Sequence, residues 1–205
     1  MRRHFILTLS LLLPLLSGCG ALSSLSEASA ELDAYTLSPA TSAGPAAAGR
    51  SHLIVELPTS AGALGTDRIL IKPVPFQAQY LPDGRWSEPA PALVQTLLVA
   101  SFQNLGGFRL VGRSAAGLMP DYTLMTELQE FQAEPARSGT AEITVRISVM
   151  LTLIRESDRR ILATRRISVA EPAASDRTSV VVNAFDRALK EVLRETVLWA
   201  RTAAK

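Results

Sequence analysis

Three features of this 205-residue chain predict an α+β fold, a mostly antiparallel twisted sheet with two helices packed on one face. Ile143, Val145, Ile147, Val149, Leu151 and Leu153 form an unbroken apolar stripe of period two, as in a strand with one buried face. Val181, Ala184, Phe185, Ala188, Leu189, Val192 and Trp199 recur at helical spacing near the C-terminus. A second helical stripe, Leu93, Val94, Leu97, Leu98, Ser101 and Leu105, separates two strand-rich stretches, so helices and strands come in blocks.

The chain opens on a basic segment, Met1-Arg2-Arg3-His4, followed by an apolar run, Phe5 to Leu16, interrupted only by Thr8, Ser10 and Pro14. This is the anatomy of a secretory leader. A spanning helix needs about 20 apolar residues; this run is shorter and carries a proline. Residues 1–18 are therefore read as a signal peptide, 19–50 as a lipidated flexible tether and 51–205 as the folded domain. The tether is rich in Ala, Ser, Gly and Pro, as in Pro39-Ala40-Thr41-Ser42-Ala43-Gly44-Pro45. Thirty such residues have a coil reach of roughly 30 Å and a stretched limit of about 100 Å. Within it, Tyr35-Thr36-Leu37 is β-prone; it is either an edge strand that pins the tether to the domain or a stray apolar triplet.

In the domain, Leu53–Leu57 and Arg68–Lys72 have strand length and composition. Phe76 to Tyr80 alternates briefly, and Pro82-Asp83-Gly84 reads as a turn. Ser87 is placed to cap the first helix, with Glu88 and Pro89 in its first turn, and Gly106-Gly107 to end it. Phe108–Val111 returns as a strand, and Tyr122, Leu124 and Leu128 share one face of the next segment. Glu156–Arg159 is a hairpin turn between the period-two strand and Ile161–Val169. Ser175 or Asp176 is placed to cap the terminal helix.

Net charge is +2, with 21 basic and 19 acidic residues, but Arg2 and Arg3 belong to the leader, and without them the two counts are level. A neutral chain with 5% aromatics and no basic run lacks the electrostatic surface and stacking platform of a nucleic-acid binder. The one cysteine, Cys19, lies outside the domain, which removes disulfides, thiolate metal sites and cysteine nucleophiles. His52 is the one histidine of the mature chain, so histidine metal clusters and Ser-His-Asp triads lack parts unless it serves. Gly62–Asp67 lacks the lysine of a phosphate-binding loop. Glu127 and Glu130, three apart on a regular strand, fall on opposite faces and make no acid/base pair. The residues point to a chain that is not an enzyme and takes no metal or diffusible cofactor.

Leu16-Ser17-Gly18-Cys19 resembles the bacterial lipobox. The resemblance implies a diacylglyceryl thioether on Cys19, cleavage before it and N-acylation of the new amine. At about 0.8 kcal/mol per buried methylene, two or three chains hold a protein stably on a membrane. Gly20 and Ala21 stand where an Asp would retain many such lipoproteins in the inner membrane, so resemblance to that sorting pattern implies the inner leaflet of the outer membrane, facing the periplasm.

Asp67-Arg68-Ile69-Leu70-Ile71, Gly84-Arg85-Trp86-Ser87-Glu88-Pro89-Ala90, Phe108-Arg109-Leu110-Val111-Gly112-Arg113 and Val181-Val182-Asn183-Ala184-Phe185 occur in series. In that order, with Leu162–Arg166 and Trp199, they resemble the ABC-type transport auxiliary lipoproteins, the PqiC-like family. The resemblance implies a docking component of an intermembrane lipid-transport system, whose partner is an MCE-domain protein served by a permease and an ATPase. A homo-oligomeric ring around that partner is compatible with it. Arg85 and Trp86 are candidate partner contacts, since exposed Trp and Arg dominate interface energetics; the alternative puts Trp86 in the sheet–helix core and Arg85 on a solvated flank. Arg165 shares a strand face with Ala163 and Ile167, which suits a salt bridge at the core edge or a subunit contact. Two other classes compete with docking: an envelope-assembly lipoprotein for lipopolysaccharide or outer-membrane-protein machinery, and an enzyme built around His52.

Overall fold

The computed structural model describes residues 31–44, 46–115, 117–136 and 143–205. In chain order the elements are β1 (Asp33–Tyr35), β2 (His52–Val55), β3 (Thr59–Ser60), a 3-10 turn (Gly62–Leu64), β4 (Arg68–Ile71) and β5 (Gln79–Trp86), then α1 (Ala90–Leu105). There follow β6 (Leu110–Gly112), β7 (Tyr122–Pro135), β8 (Ile143–Arg155), β9 (Arg160–Ala173) and α2 (Thr178–Ala203). The class is α+β, and the sheet is mixed where the sequence predicted a mostly antiparallel one. The long ladders, β7–β8 and β8–β9, and the short β4–β5 pair are antiparallel. The pairs β1–β5 and β2–β6, and those of β7 with β2, β3 and β4, are parallel.

The parallel pairings follow from the length of β7. One of its edges takes β8 along the whole strand. The other takes β2 at Tyr122–Leu124, β3 at Glu127–Leu128 and β4 at Gln132–Ala133, one after another. A chain advancing along one edge in short touches must run parallel to it. Nothing in the periodicity of a four-residue run records that direction.

The core lies between the sheet and both helices. Leu124, Leu128, Phe131 and Ala133 of β7 and the period-two stripe of β8 from Val145 to Leu153 are buried, and α2 lays Val181, Ala184, Phe185, Ala188, Leu189 and Val192 against them. Trp199, expected on that inner face, is only partly buried. Both helix caps differ from expectation. The helices begin at Ala90 and Thr178 with no side-chain cap bond. The Ser87 N–H is already committed to the Tyr35 carbonyl at 2.7 Å, and the free Ala90 N–H finds the Thr66 carbonyl at 3.0 Å, so tertiary partners replace the cap. Gly106 does end α1, at φ 72°.

Pro82-Asp83-Gly84 is no hairpin turn but part of β5. The pairing with β4 jumps from Arg68↔Arg85 to Leu70↔Tyr80, so these residues bulge from the ladder, where a proline without an N–H is tolerated. Gly84 is fixed by proximity: a Cβ there would meet Thr178 Cγ2 and the Tyr35 ring at 2.9 Å. A second bulge, at Gln129, pairs Glu127 with Met150 and Glu130 with Ser148. Because Met150 and Ser148 are two apart, the two glutamates share the open face of the sheet, correcting the opposite-face expectation.

Of the residues read from sequence as tether, 33–44 and 46–50 lie against the domain. β1 pairs with β5, which decides the Tyr35 alternative in favour of an edge strand, and Leu37 and Ala40 are buried. The segment then crosses the helices as a strap: the Ser38 N–H donates to Asp186 Oδ1 of α2 (2.7 Å) and the Ala40 N–H to Ser101 Oγ of α1 (2.9 Å). Asn104 Nδ2 donates to the Ala40 carbonyl, and the Ala47 N–H to the Leu105 carbonyl, both at 3.1 Å. The Gly107 N–H donates to the Ala47 carbonyl at 2.7 Å. At Gly49 there is no room for a side chain: a Cβ there would stand 2.3 Å from the Gly107 carbonyl oxygen. The compact unit accordingly begins at Asp33.

Burial acts to raise the Asp186 carboxyl, but the Lys190 ammonium at 2.7 Å and the Ser38 N–H outweigh it, holding the group below the ordinary aspartate range. A lowered folded-state value means the strap contact stabilises at neutral pH and is lost as pH falls through that range. Hydrogen exchange at the Ser38 amide is therefore expected to be slow at pH 7 and to lose its protection in Asp186→Ala, with the rest of α2 unchanged.

Candidate interaction surfaces

The residues that sequence reasoning singled out do not converge. Trp86 is wholly buried, its ring 5.1 Å from Phe185 in an edge-on contact and 5.5 Å from Phe131. This corrects the expectation that Trp86 is a partner contact: β5 turns its side chain inward, between α2 and β7, as the alternative reading had it. Arg85, next along the strand, turns outward, with Nη1 3.6 Å from Asp67 Oδ2 and 3.4 Å from the Trp86 carbonyl oxygen. Arg165 makes a half-exposed pair with Glu195 at 3.6 Å, the salt bridge that its strand position suggested. Cys19 and its lipobox lie outside the described residues.

His52 is 4% exposed, and neither ring nitrogen has a hydrogen-bond partner. Asp121 accepts from the His52 backbone N–H (2.7 Å), so the nearby carboxylate holds the strand and not the imidazole. Among the described residues no group of three or more His, Cys, Asp or Glu is placed to hold a metal ion. No helix among them is long and apolar enough to cross a membrane.

What the surface does present is exposed apolar residues at the two ends of the sheet. At one end, where β7 finishes and α2 begins, the β4–β5 loop holds Val74 at 53% exposure and Phe76 fully exposed, with φ 68°. Beside it an open cleft of about 550 Å³ is lined by Pro73, Val74, Pro75 and Pro135, with Lys72 and Glu130 at its edges. A smaller recess of about 210 Å³, with Ile71, Leu81 and Val181 in its wall, adjoins it through Pro73, Glu134 and Pro135. Glu134 is held by Arg146 of β8. At the opposite end, before β7 starts, the β6–β7 loop exposes Leu118 and Met119, the latter at 88%.

Sequence reasoning placed Phe76 in an alternating strand and missed both loops. The signal was present: Pro73 and Pro75 withhold two ladder N–H groups immediately before Phe76, so no strand could include it and its ring had no sheet face to join.

This arrangement, a sheet with two helices on one face and open clefts on its ends, is a scaffold that displays loops. Residues 35–197 match the family of ABC-type transport auxiliary lipoprotein components, and the chain belongs to that family. The match runs from Tyr35, the last residue of β1, almost to the end of α2. The family is one of lipoprotein components auxiliary to ABC-type transport. An uncharacterized protein of Bradyrhizobium diazoefficiens is 27% identical over 169 residues, which are 80% of this chain and 44% of that protein. The chain therefore spans less than half the length of this curated relative. The crystal structure of protein XCC0632 from Xanthomonas campestris is similar with a TM-score of 0.73 at 27% identity, covering 85% of this chain and 96% of that one. A crystal structure of another uncharacterized protein, 17% identical, shares the fold with a TM-score of 0.63 over 82% of this chain and 97% of its own.

Proposed function

We propose that this chain is the non-catalytic docking component of an MCE-type ABC system that moves lipid between the two membranes. Acylated Cys19 anchors it in the inner leaflet of the outer membrane, and the domain faces the periplasm and receives the MCE-domain partner. The observation that carries the reading is the family match over residues 35–197 taken with the lipobox Leu16–Cys19. Gly20 and Ala21 support the outer-membrane address. The acyl chains are the only non-protein groups the proposal requires.

The Leu118–Met119 loop is the surface we assign to the partner, because two adjacent exposed apolar residues on a turn can enter a pocket with little ordering cost. Deleting the gene is expected to raise the amount of phospholipid in the outer leaflet of the outer membrane, and the wild-type copy to restore it. The Leu118→Asp, Met119→Asp double variant, present at wild-type level, is expected not to restore it. Unchanged lipid asymmetry in the deletion strain would contradict the transport role; full restoration by the double variant would contradict the assignment of this loop.

A further inference from the structure

We propose that the β4–β5 loop, Lys72 to Gln77, is a membrane wedge that seats this end of the sheet on the lipid surface carrying the chain, with Phe76 entering the headgroup–acyl boundary. The proposal rests on the reading of Cys19 as the acylated residue.

The loop is built at a cost that the domain itself does not offset. The Gln77 N–H donates to the Val74 carbonyl (3.3 Å), which closes a turn with Pro75 at its first central position and Phe76 at its second. That second position has a positive φ of 68° and favours glycine. Here a phenylalanine occupies it with its ring wholly in solvent. Val74, half exposed, and the two prolines extend the apolar tip, and Pro135 continues it across the cleft. A lipid interface accepts an aromatic ring and short apolar side chains, while Lys72 at the loop's base has the reach to set its ammonium among the phosphates.

The path of the chain points to the same occupant. β1 runs parallel to β5, and β5 sets out from this loop, so β1 is entered from the Phe76 end. The strap confirms the direction, passing Thr178 at the start of α2, then Asp186, then Ser101, then Gly106 at the far end of α1. The described chain therefore enters β1 running away from the wedge end, with Asp33 opposite Gly84. With 33–50 committed to the domain, the link from Cys19 to Leu32 spans at most about 50 Å fully extended, half the limit inferred from a 30-residue tether. A domain held that close by its wedge end meets the bilayer with that end first.

The chain has one cysteine, and acylation consumes its thiol, so an introduced thiol takes a unique label. Full-length acylated protein carrying Phe76→Cys, Val74→Cys or Met119→Cys is labelled with an environment-sensitive fluorophore. It is then reconstituted into phosphatidylethanolamine/phosphatidylglycerol vesicles containing lipids spin-labelled near the headgroup end of the acyl chain. Probes at 74 and 76 are expected to be quenched several-fold more than the probe at 119, and Phe76→Asp to abolish the quenching at 74 while the protein still floats with the vesicles. Floating protein with equal quenching at 76 and 119 overturns the wedge alone. So does shielding of position 76 that appears only with an added protein partner and without quenching. Protein that does not float, with Cys19 itself taking the label, overturns the anchor reading and the wedge with it.

Discussion

Replacing Trp86 by alanine is expected to lower stability by about 3–5 kcal/mol, the usual cost of emptying a large aromatic site in a packed core. The ring is wholly buried and forms a triad with Phe131 of β7 and Phe185 of α2, whose rings are themselves 5.0 Å apart. Its removal leaves two strands of the sheet, β5 and β7, and the helix α2 facing one void. For a domain of this size a melting temperature about 6–20 °C lower follows. Trp86→Phe refills most of the volume, and because the indole Nε1 has no hydrogen-bond partner among the described residues, no bond is lost with it. Its cost is therefore expected to be below about 1.5 kcal/mol. Arg85→Ala tests the neighbouring position: its ion pair with Asp67 is half exposed, and a change of less than about 1 kcal/mol is expected. Thermal denaturation of the three variants separates the core role from a contact role, since a surface tryptophan would change partner retention and leave the melting temperature where it was.

Cys19→Ser is expected to have the second large effect, on location and not on stability. Serine keeps the size of the side chain but offers no thiol for the thioether, so acylation and the processing that depends on it stop. The domain begins at Asp33, well beyond the change, and its melting temperature is expected to be unaffected. Recovery with outer-membrane vesicles should fall from nearly all of the wild-type protein to background. The mature N-terminal peptide of the wild type should carry the added mass of its acyl chains. Undiminished recovery of the serine variant with the outer membrane would show that something other than Cys19 attaches the chain.

How much of this was legible beforehand depends on the range of the physics involved. The β8 stripe and the α2 stripe were plain in the sequence because each is a long periodic pattern against a single buried face. The sense of the pairings around β7 was not, because direction is decided by the path of the whole 52–71 segment and not by any residue in it. The cap was misplaced at Ser87 because a tertiary carbonyl, that of Thr66, takes the Ala90 N–H, and at Ser175/Asp176 because α2 begins later, with the Val180 and Val181 N–H groups on the Arg177 carbonyl. Residues 33–44 and 46–50 looked like tether because Ala, Gly and Ser serve equally for a flexible linker and for a strap held through its backbone N–H and C=O groups. Glu127 and Glu130 changed relation because one inserted residue, Gln129, reverses the alternation beyond it. For the site, the reading of Cys19 rests on its neighbours in sequence alone, since it lies outside the described residues. Whether Trp86 faced a partner or the core depended on which side of β5 meets α2, and only the fold decides that.

The central claim is that this lipoprotein works by holding an MCE-domain protein at the outer membrane. It is tested most directly by isolating the full-length, acylated chain through a C-terminal tag from solubilised native membranes after brief cross-linking and identifying what comes with it. The account predicts an MCE-domain protein of one transport system as the main cross-linked species, lost in the Leu118→Asp, Met119→Asp variant and kept in Phe76→Asp. Recovery of lipopolysaccharide or outer-membrane-protein assembly components in its place, with no MCE-domain protein, would contradict it.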